Sequence, residues 1–177
     1  PLAGAEMRFA ERLSAHYANS GDPAAPNHYI VKGVQDGSYL YPTTPDYCWN
    51  VSVGGGLYSR LLSLITDAVA ALGGWSQIGS VDFFWLQGEN DAIFTDPAGA
   101  YQANLRAFLS SILADIAVNG PRTTAHVLRI HRDLLPATAP NTLGFYYKDR
   151  IRGIQDTTLI DVKSDLDPLG ADLHYRN

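Results

Sequence analysis

Phe84-Trp85-Leu86-Gln87-Gly88-Glu89-Asn90-Asp91-Ala92 runs from an apolar segment straight into a cluster of amides and carboxylates. Residues 81–86 are nearly all apolar or aromatic, as expected of a parallel strand covered by helices on both faces. In an open α/β sheet, ligands bind beyond the carboxyl ends of the strands, so polar residues at 87–91 mark the place where chemistry is expected.

The flanking pattern extends this reading. Downstream, Asp96-Pro97 predicts a helix start with Asp96 as N-cap and Pro97 at the first position. Its apolar stripe runs through Tyr101, Leu105, Phe108, Leu109, Ile112 and Ile116 until Gly120-Pro121 stops it. Residues 125–130 and 158–162 are strand candidates, with a helix expected between them over 143–155. Upstream, Leu57, Leu61, Leu64, Ile65, Ala68 and Leu72 mark a helix closed by Gly73-Gly74. Met7, Ala10, Leu13 and Tyr17 mark an earlier one, ended by turn formers at 19–23, and residues 28–32 read as a short strand. The stretch 33–56 is rich in Gly, Tyr, Pro and Asn and long enough to be a functional loop, where substrate contacts are expected. Alternating helices and strands predict one α/β domain over 1–177, a three-layer α/β/α sandwich around a parallel sheet.

Composition narrows the partners. A hydrophobic fraction of 46% and a charged fraction of 18% suit a globular chain, and no apolar run approaches the ~20 residues of a membrane helix. A formal charge of −5 argues against a nucleic-acid partner and favours a neutral or sugar-like substrate. The single cysteine, Cys48, excludes an internal disulfide without assigning a compartment. No cofactor is expected. Paired carboxylates could also suggest a glycosidase or a metal site, but no H-x-H or H-x-x-x-H spacing supplies further ligands, so no metal is expected. Gly54-Gly55-Gly56 lacks a following Gly-Lys-Ser/Thr and fails as a phosphate loop.

Gln87-Gly88-Glu89-Asn90-Asp91, together with Asp172-Leu173-His174-Tyr175 near the end of the chain, resembles the SGNH-hydrolase superfamily. The nearest branch is the sialate O-acetylesterase-like carbohydrate esterases, whose QGE-x-D block it copies. Residues 4–13, Ile30-Val31-Lys32 leading to Asp36-Gly37-Ser38, Trp49 before a long helix, and residues 150–155 follow that family's order. The resemblance implies an SGNH or flavodoxin-like fold whose first strand, carrying the nucleophilic serine, lies N-terminal to Pro1. No nucleophile is then expected within the chain, and the fragment alone is expected to be inactive.

The resemblance also implies roles. His174 is the expected general base. The family's acid lies three residues before the histidine, where this chain has Ala171, so Asp172 is the favoured partner, with Asp165 or Asp167 as alternatives. Gln87 is the favoured side-chain oxyanion donor and Asn90, from the G-x-N-D reading, the alternative. Gly37 supplies the matching backbone amide, with Asp36 expected to point away from it. Glu89 and Asp91 are expected to order the loop by accepting hydrogen bonds. Ser38 reads as a turn serine, because no G-x-S-x-G elbow surrounds it. Tyr39, Tyr41, Tyr47 and Trp49 could stack on a sugar ring or pack on their own scaffold.

The implied activity is release of acetate from acetylated carbohydrates, with export to the periplasm or beyond the cell as the favoured location. The alternatives are a catalytically inactive carbohydrate-binding or structural SGNH-like domain, and an SGNH lipase or thioesterase.

Overall fold

The computed structural model describes residues 5–20, 27–130 and 144–161. Four helices, α1 (Ala5–Ser20), α2 (Leu57–Ala71), α3 (Thr95–Ala117) and α4 (Lys148–Asp161), accompany two strands, β1 (Ser80–Leu86) and β2 (Arg122–Leu128). The strands pair in parallel, with Ser80 opposite Arg122 and Leu86 opposite Leu128. The described residues therefore form a mixed α/β structure on a two-stranded parallel sheet. The connection from β1 to β2 passes through α3, the crossover that a parallel pair requires.

The core lies on one face of this sheet. Phe83 and Trp85 meet α3 at Phe108, whose ring centroid is 4.1 Å from that of Trp85. Trp49 closes on Trp85 edge-to-face at 5.3 Å, and Tyr58 of α2 closes on Phe108 at 5.8 Å. Such offset and edge-to-face pairs add about 0.5–1.5 kcal/mol each beyond area burial. The expected stripe of α3 is observed: Tyr101, Leu105, Phe108, Leu109, Ile112 and Ile116 are all buried. The turn after α2 also forms as its glycines require. Gly73 and Gly74, at φ 91° and 100°, donate to the Ala70 and Val69 carbonyls and close the helix in a Schellman motif.

Several expectations need correction. Residues 158–161 belong to α4 rather than to a strand. The side chain of Thr157 bonds back to the Gly153 and Ile154 carbonyls at 2.9 Å, so this β-branched residue is accommodated within the helix. That helix starts at Lys148, later than expected, because the Tyr147 N–H is drawn to the Ala92 carbonyl at 2.9 Å. Residues 28–32 form no strand, and Ile30 and Val31 are exposed. The two faces of β1 differ: Trp85 is 6% exposed, whereas Phe84 keeps 39% of its surface. Thr95, not Pro97, is the first residue of α3, and Phe94 stands at the N-cap. Pro97 falls in the first turn, where its missing N–H leaves no helical bond unmade. β2 begins at Arg122, three residues before the predicted start.

Candidate functional site at the carboxyl end of the first strand

β1 delivers Gln87 to the rim, and a sharp glycine turn follows. Gly88 has φ 130°, and a Cβ there would lie 2.8 Å from Ile151 Cγ2 and 2.9 Å from the Tyr101 hydroxyl. Only glycine fits. The close approach lets two buried side chains grip the strand end. The Tyr101 hydroxyl and Gln155 Nε2 each donate to the Gln87 carbonyl at 2.8 Å. Gln155 Oε1 accepts from the Ile130 N–H at 3.0 Å, so this one amide joins the β1 terminus to the segment just after β2. Burial pushes the Tyr101 hydroxyl well above the ordinary phenol range, with the Asp91 charge adding to the effect. Tyr101 therefore stays protonated and acts as a donor.

Asp91 organises the opposite side. Its carboxylate is fully buried and accepts from the Leu40 N–H at 3.0 Å, the Tyr41 N–H at 3.1 Å and Gln87 Nε2 at 2.6 Å. Burial raises its pKa, and these three donors work in the other direction. The loop 33–56 is thus moored on one carboxylate. Inside the loop, Asn50 Nδ2 donates to the Leu40 carbonyl at 3.0 Å, and Cys48 is fully buried. Trp49 Nε1 donates to Ser38 Oγ at 2.7 Å, and Ser38 Oγ donates to the Gln35 carbonyl at 2.9 Å. Ser38 is therefore a buried link in the loop, and Trp49, 6% exposed, belongs to the aromatic core.

The predicted oxyanion residues come together, with a change of emphasis between them. Gln87 Nε2 spends both of its hydrogens, on Asp91 and on the Ser38 carbonyl at 3.1 Å. Gln87 Oε1 is buried with no hydrogen-bond partner among the described residues. The amide that faces Gly37 is that of Asn90, whose Nδ2 lies 3.6 Å from the point where a Gly37 Cβ would stand. The Tyr39 hydroxyl, beside this cluster, has its pKa raised by burial and by the Asp91 charge. Gly37 has φ 66°, and its N–H donates to Asp36 Oδ1 at 2.9 Å, so Asp36 turns toward that amide rather than away from it. Glu89 is half-buried beside this cluster. His174, Asp172, Asp165 and Asp167 lie outside the described residues.

Sequence reasoning missed Tyr101 and Gln155 as parts of the rim. Tyr101 was legible only as one member of an apolar stripe, and Gln155 carried no signal, because nothing local tells a buried glutamine from a surface one. A histidine–carboxylate pair does occur elsewhere: His126 Nε2 lies 3.0 Å from Asp82 Oδ1, and its ring stacks on Phe84 at 4.6 Å. It sits at mid-strand, opposite Phe84, away from the rim.

Beside the rim opens a cleft of about 590 Å³, lined by Tyr39, Tyr41, Thr43, Phe94, Thr95 and Asp96 among others. A hydrogen bond of 2.6 Å between Thr95 Oγ1 and the Tyr147 hydroxyl holds one wall. Among the described residues no three His, Cys, Asp or Glu side chains gather as metal ligands, and no helix is long and apolar enough to cross a membrane. No family model, no curated protein and no solved structure matches the chain.

Proposed function

We propose that this chain is part of a serine-dependent carbohydrate O-acetylesterase, with Gly37 and Asn90 holding the oxyanion and His174 acting as base. On this reading the nucleophile is a serine N-terminal to Pro1, and Asp172 orients His174. The observation that carries the reading is the meeting of Asn90 and Gly37 at the carboxyl end of β1. A side-chain amide and a backbone amide of this kind are what a tetrahedral oxyanion needs. Asn90 replaces Gln87 as the preferred donor, because both hydrogens of Gln87 are already committed. Gln87 and Asp91 then fix the loop that carries Gly37.

The reaction would follow the usual acyl-transfer order. His174 takes the serine proton as the hydroxyl attacks the acetyl carbonyl, the oxyanion forms between the two amides, and the sugar hydroxyl leaves with the proton returned by His174. Water then repeats the sequence and releases acetate.

The test uses the full natural protein and measures acetate release from acetylated oligosaccharides. Asn90→Ala is expected to lower kcat by about 10²–10³, and His174→Ala by more, because serine is a poor nucleophile without its base. Unchanged acetate release in His174→Ala sinks the mechanism. The chain alone is expected to show no turnover on p-nitrophenyl acetate. Hydrolysis abolished by Ser38→Ala would move the nucleophile into this chain.

One observation favours a second reading, a carbohydrate-binding domain without catalysis. The Gly37 N–H is occupied by the Asp36 carboxylate, which an incoming oxyanion would have to displace. Asp36→Ala separates the two: it raises esterase turnover if the site is catalytic and changes no turnover if it is not.

A further inference from the structure

The cleft beside the rim has a chemistry of its own. Tyr39, Tyr41 and Phe94 supply aromatic surface, Thr43 and Thr95 supply hydroxyls, and Asp96 supplies the only formal charge among the described residues that line it. Phe94 is 49% exposed although it stands between the buried Ile93 and the first turn of α3. Nothing in the helix start requires an aromatic there, since small polar residues cap helices better. The cleft is wide open to solvent, and its described lining pairs aromatic walls with a few polar groups, the combination that small-ligand sites use. Among the described residues, none that lines the cleft is Lys, Arg or His.

From this we infer that the cleft binds a neutral sugar ring, stacked against Tyr41 and Phe94 with hydroxyls toward Asp96, and discriminates against carboxylated sugars such as sialic or uronic acids. The inference rests on the esterase reading for the identity of the ligand as a sugar, and it deepens that reading by naming the substrate class. The physical reason is the one-sided charge. A sugar carboxylate would enter beside Asp96 with no cation among the described lining residues to meet it, and like charges in a cleft disfavour the wrong ligand. A neutral ring keeps the apolar contact and gives its hydroxyl hydrogens to the same carboxylate, a charge-assisted bond. Tyr41 connects the cleft to the rim, since it lines the cleft and its N–H donates to Asp91, the neighbour of Asn90, at 3.1 Å. A ring held in the cleft therefore lies beside the proposed oxyanion donors.

Saturation-transfer NMR and titration on the full natural protein test this, with xylotriose as the neutral probe and N-acetylneuraminic acid and glucuronic acid as the anionic ones. None of the three carries an O-acetyl ester, so binding is read independently of hydrolysis. The neutral probe is expected to bind at least about tenfold more tightly than either acid, and Phe94→Ala to weaken it by about tenfold, the size of one lost aromatic contact. Asp96→Asn is expected to narrow the gap between neutral and anionic probes. Tyr41→Ala serves as a second variant if Phe94→Ala fails to fold. Equal or tighter binding of the acids, no saturable binding of any probe, or xylotriose affinity unchanged in a folded Phe94→Ala or Tyr41→Ala protein overturns the inference. Saturable binding without acetate release from acetylated xylotriose overturns the esterase reading and leaves the cleft standing.

Discussion

Two neighbouring stretches of this chain invert what their composition suggests. Residues 28–32 are Tyr, Ile and Val-rich, with strong strand propensity, yet they form no strand, and Tyr29, Ile30 and Val31 are 62%, 49% and 45% exposed. Residues 38–50 are irregular and rich in turn formers, yet Leu40, Cys48, Trp49 and Asn50 are buried. The difference is where the backbone hydrogen bonds go. The irregular loop has Asp91 to accept from Leu40 and Tyr41, Asn50 to cap the Leu40 carbonyl, and a parallel bridge between Tyr39 and Cys48. The strand-like stretch has no ladder partner among the described residues. A strand is a property of a pair, and propensity alone cannot supply the second member.

The sharpest way to break this contrast is to remove the mooring. Asp91→Ala leaves the Leu40 and Tyr41 amides and Gln87 Nε2 without their acceptor. At about 1–3 kcal/mol for each of the three groups left unsatisfied, a loss of about 3–9 kcal/mol is expected in denaturant unfolding. Gly88→Ala comes next. A Cβ 2.8 Å from Ile151 at φ 130° adds clash to backbone strain, with an expected loss of about 2–5 kcal/mol. A tolerated alanine at 88 would show that the rim is looser than its packing implies.

The charge of Asp91 sharpens the same comparison through pH. Its folded-state pKa is raised by burial above the ordinary 3.8. The folded state therefore holds this proton more tightly than the unfolded chain does. The resulting stabilisation is fully present below the unfolded pKa and is lost as pH rises through the folded one. Unfolding free energy measured from mildly acid to neutral pH should fall, relative to the Asp91→Asn protein, as pH rises above about 4. A difference that grows with pH would mean that the three donors outweigh desolvation. The smallest effect is expected just beyond the strand-like stretch, in the exposed chain that follows it. Val34 is 75% exposed, so Val34→Ser should change stability by no more than about 0.5 kcal/mol. A larger loss would show that this segment packs on something its exposure conceals.

Much of the core was readable because it obeys a period. The stripe of α3, the apolar run of β1 and the glycine stop after α2 are local patterns, and local patterns survive folding when burial agrees with them. The rim was half readable. Polar residues after an apolar strand marked the stretch, and Asp91 accepts the kind of hydrogen bonds expected of it. That Gln87 spends both amide hydrogens inside the fold was not readable, because its acceptors, Asp91 and the Ser38 carbonyl, are brought to it by packing. The helical fate of residues 158–161 was equally hidden, since two threonines beside Leu159 and Ile160 read as a strand until they stand in register with α4.

By itself the sequence determined the α/β character of the chain, the parallel strand ending at the polar cluster, and a formal net charge of −5. The tertiary structure alone decided that Asp91 is a buried mooring, that Gly88 is squeezed between Ile151 and Tyr101, that Gln155 ties the ends of the two strands, and that Asp36 holds the Gly37 amide. The reason is separation along the chain. Periodicity and turn chemistry act over a few residues, whereas each of these contacts except the last joins groups tens of residues apart, whose meeting is set by packing. In the last, the neighbours touch directly, but whether the carboxylate turns in or out is a rotamer that no residue type dictates.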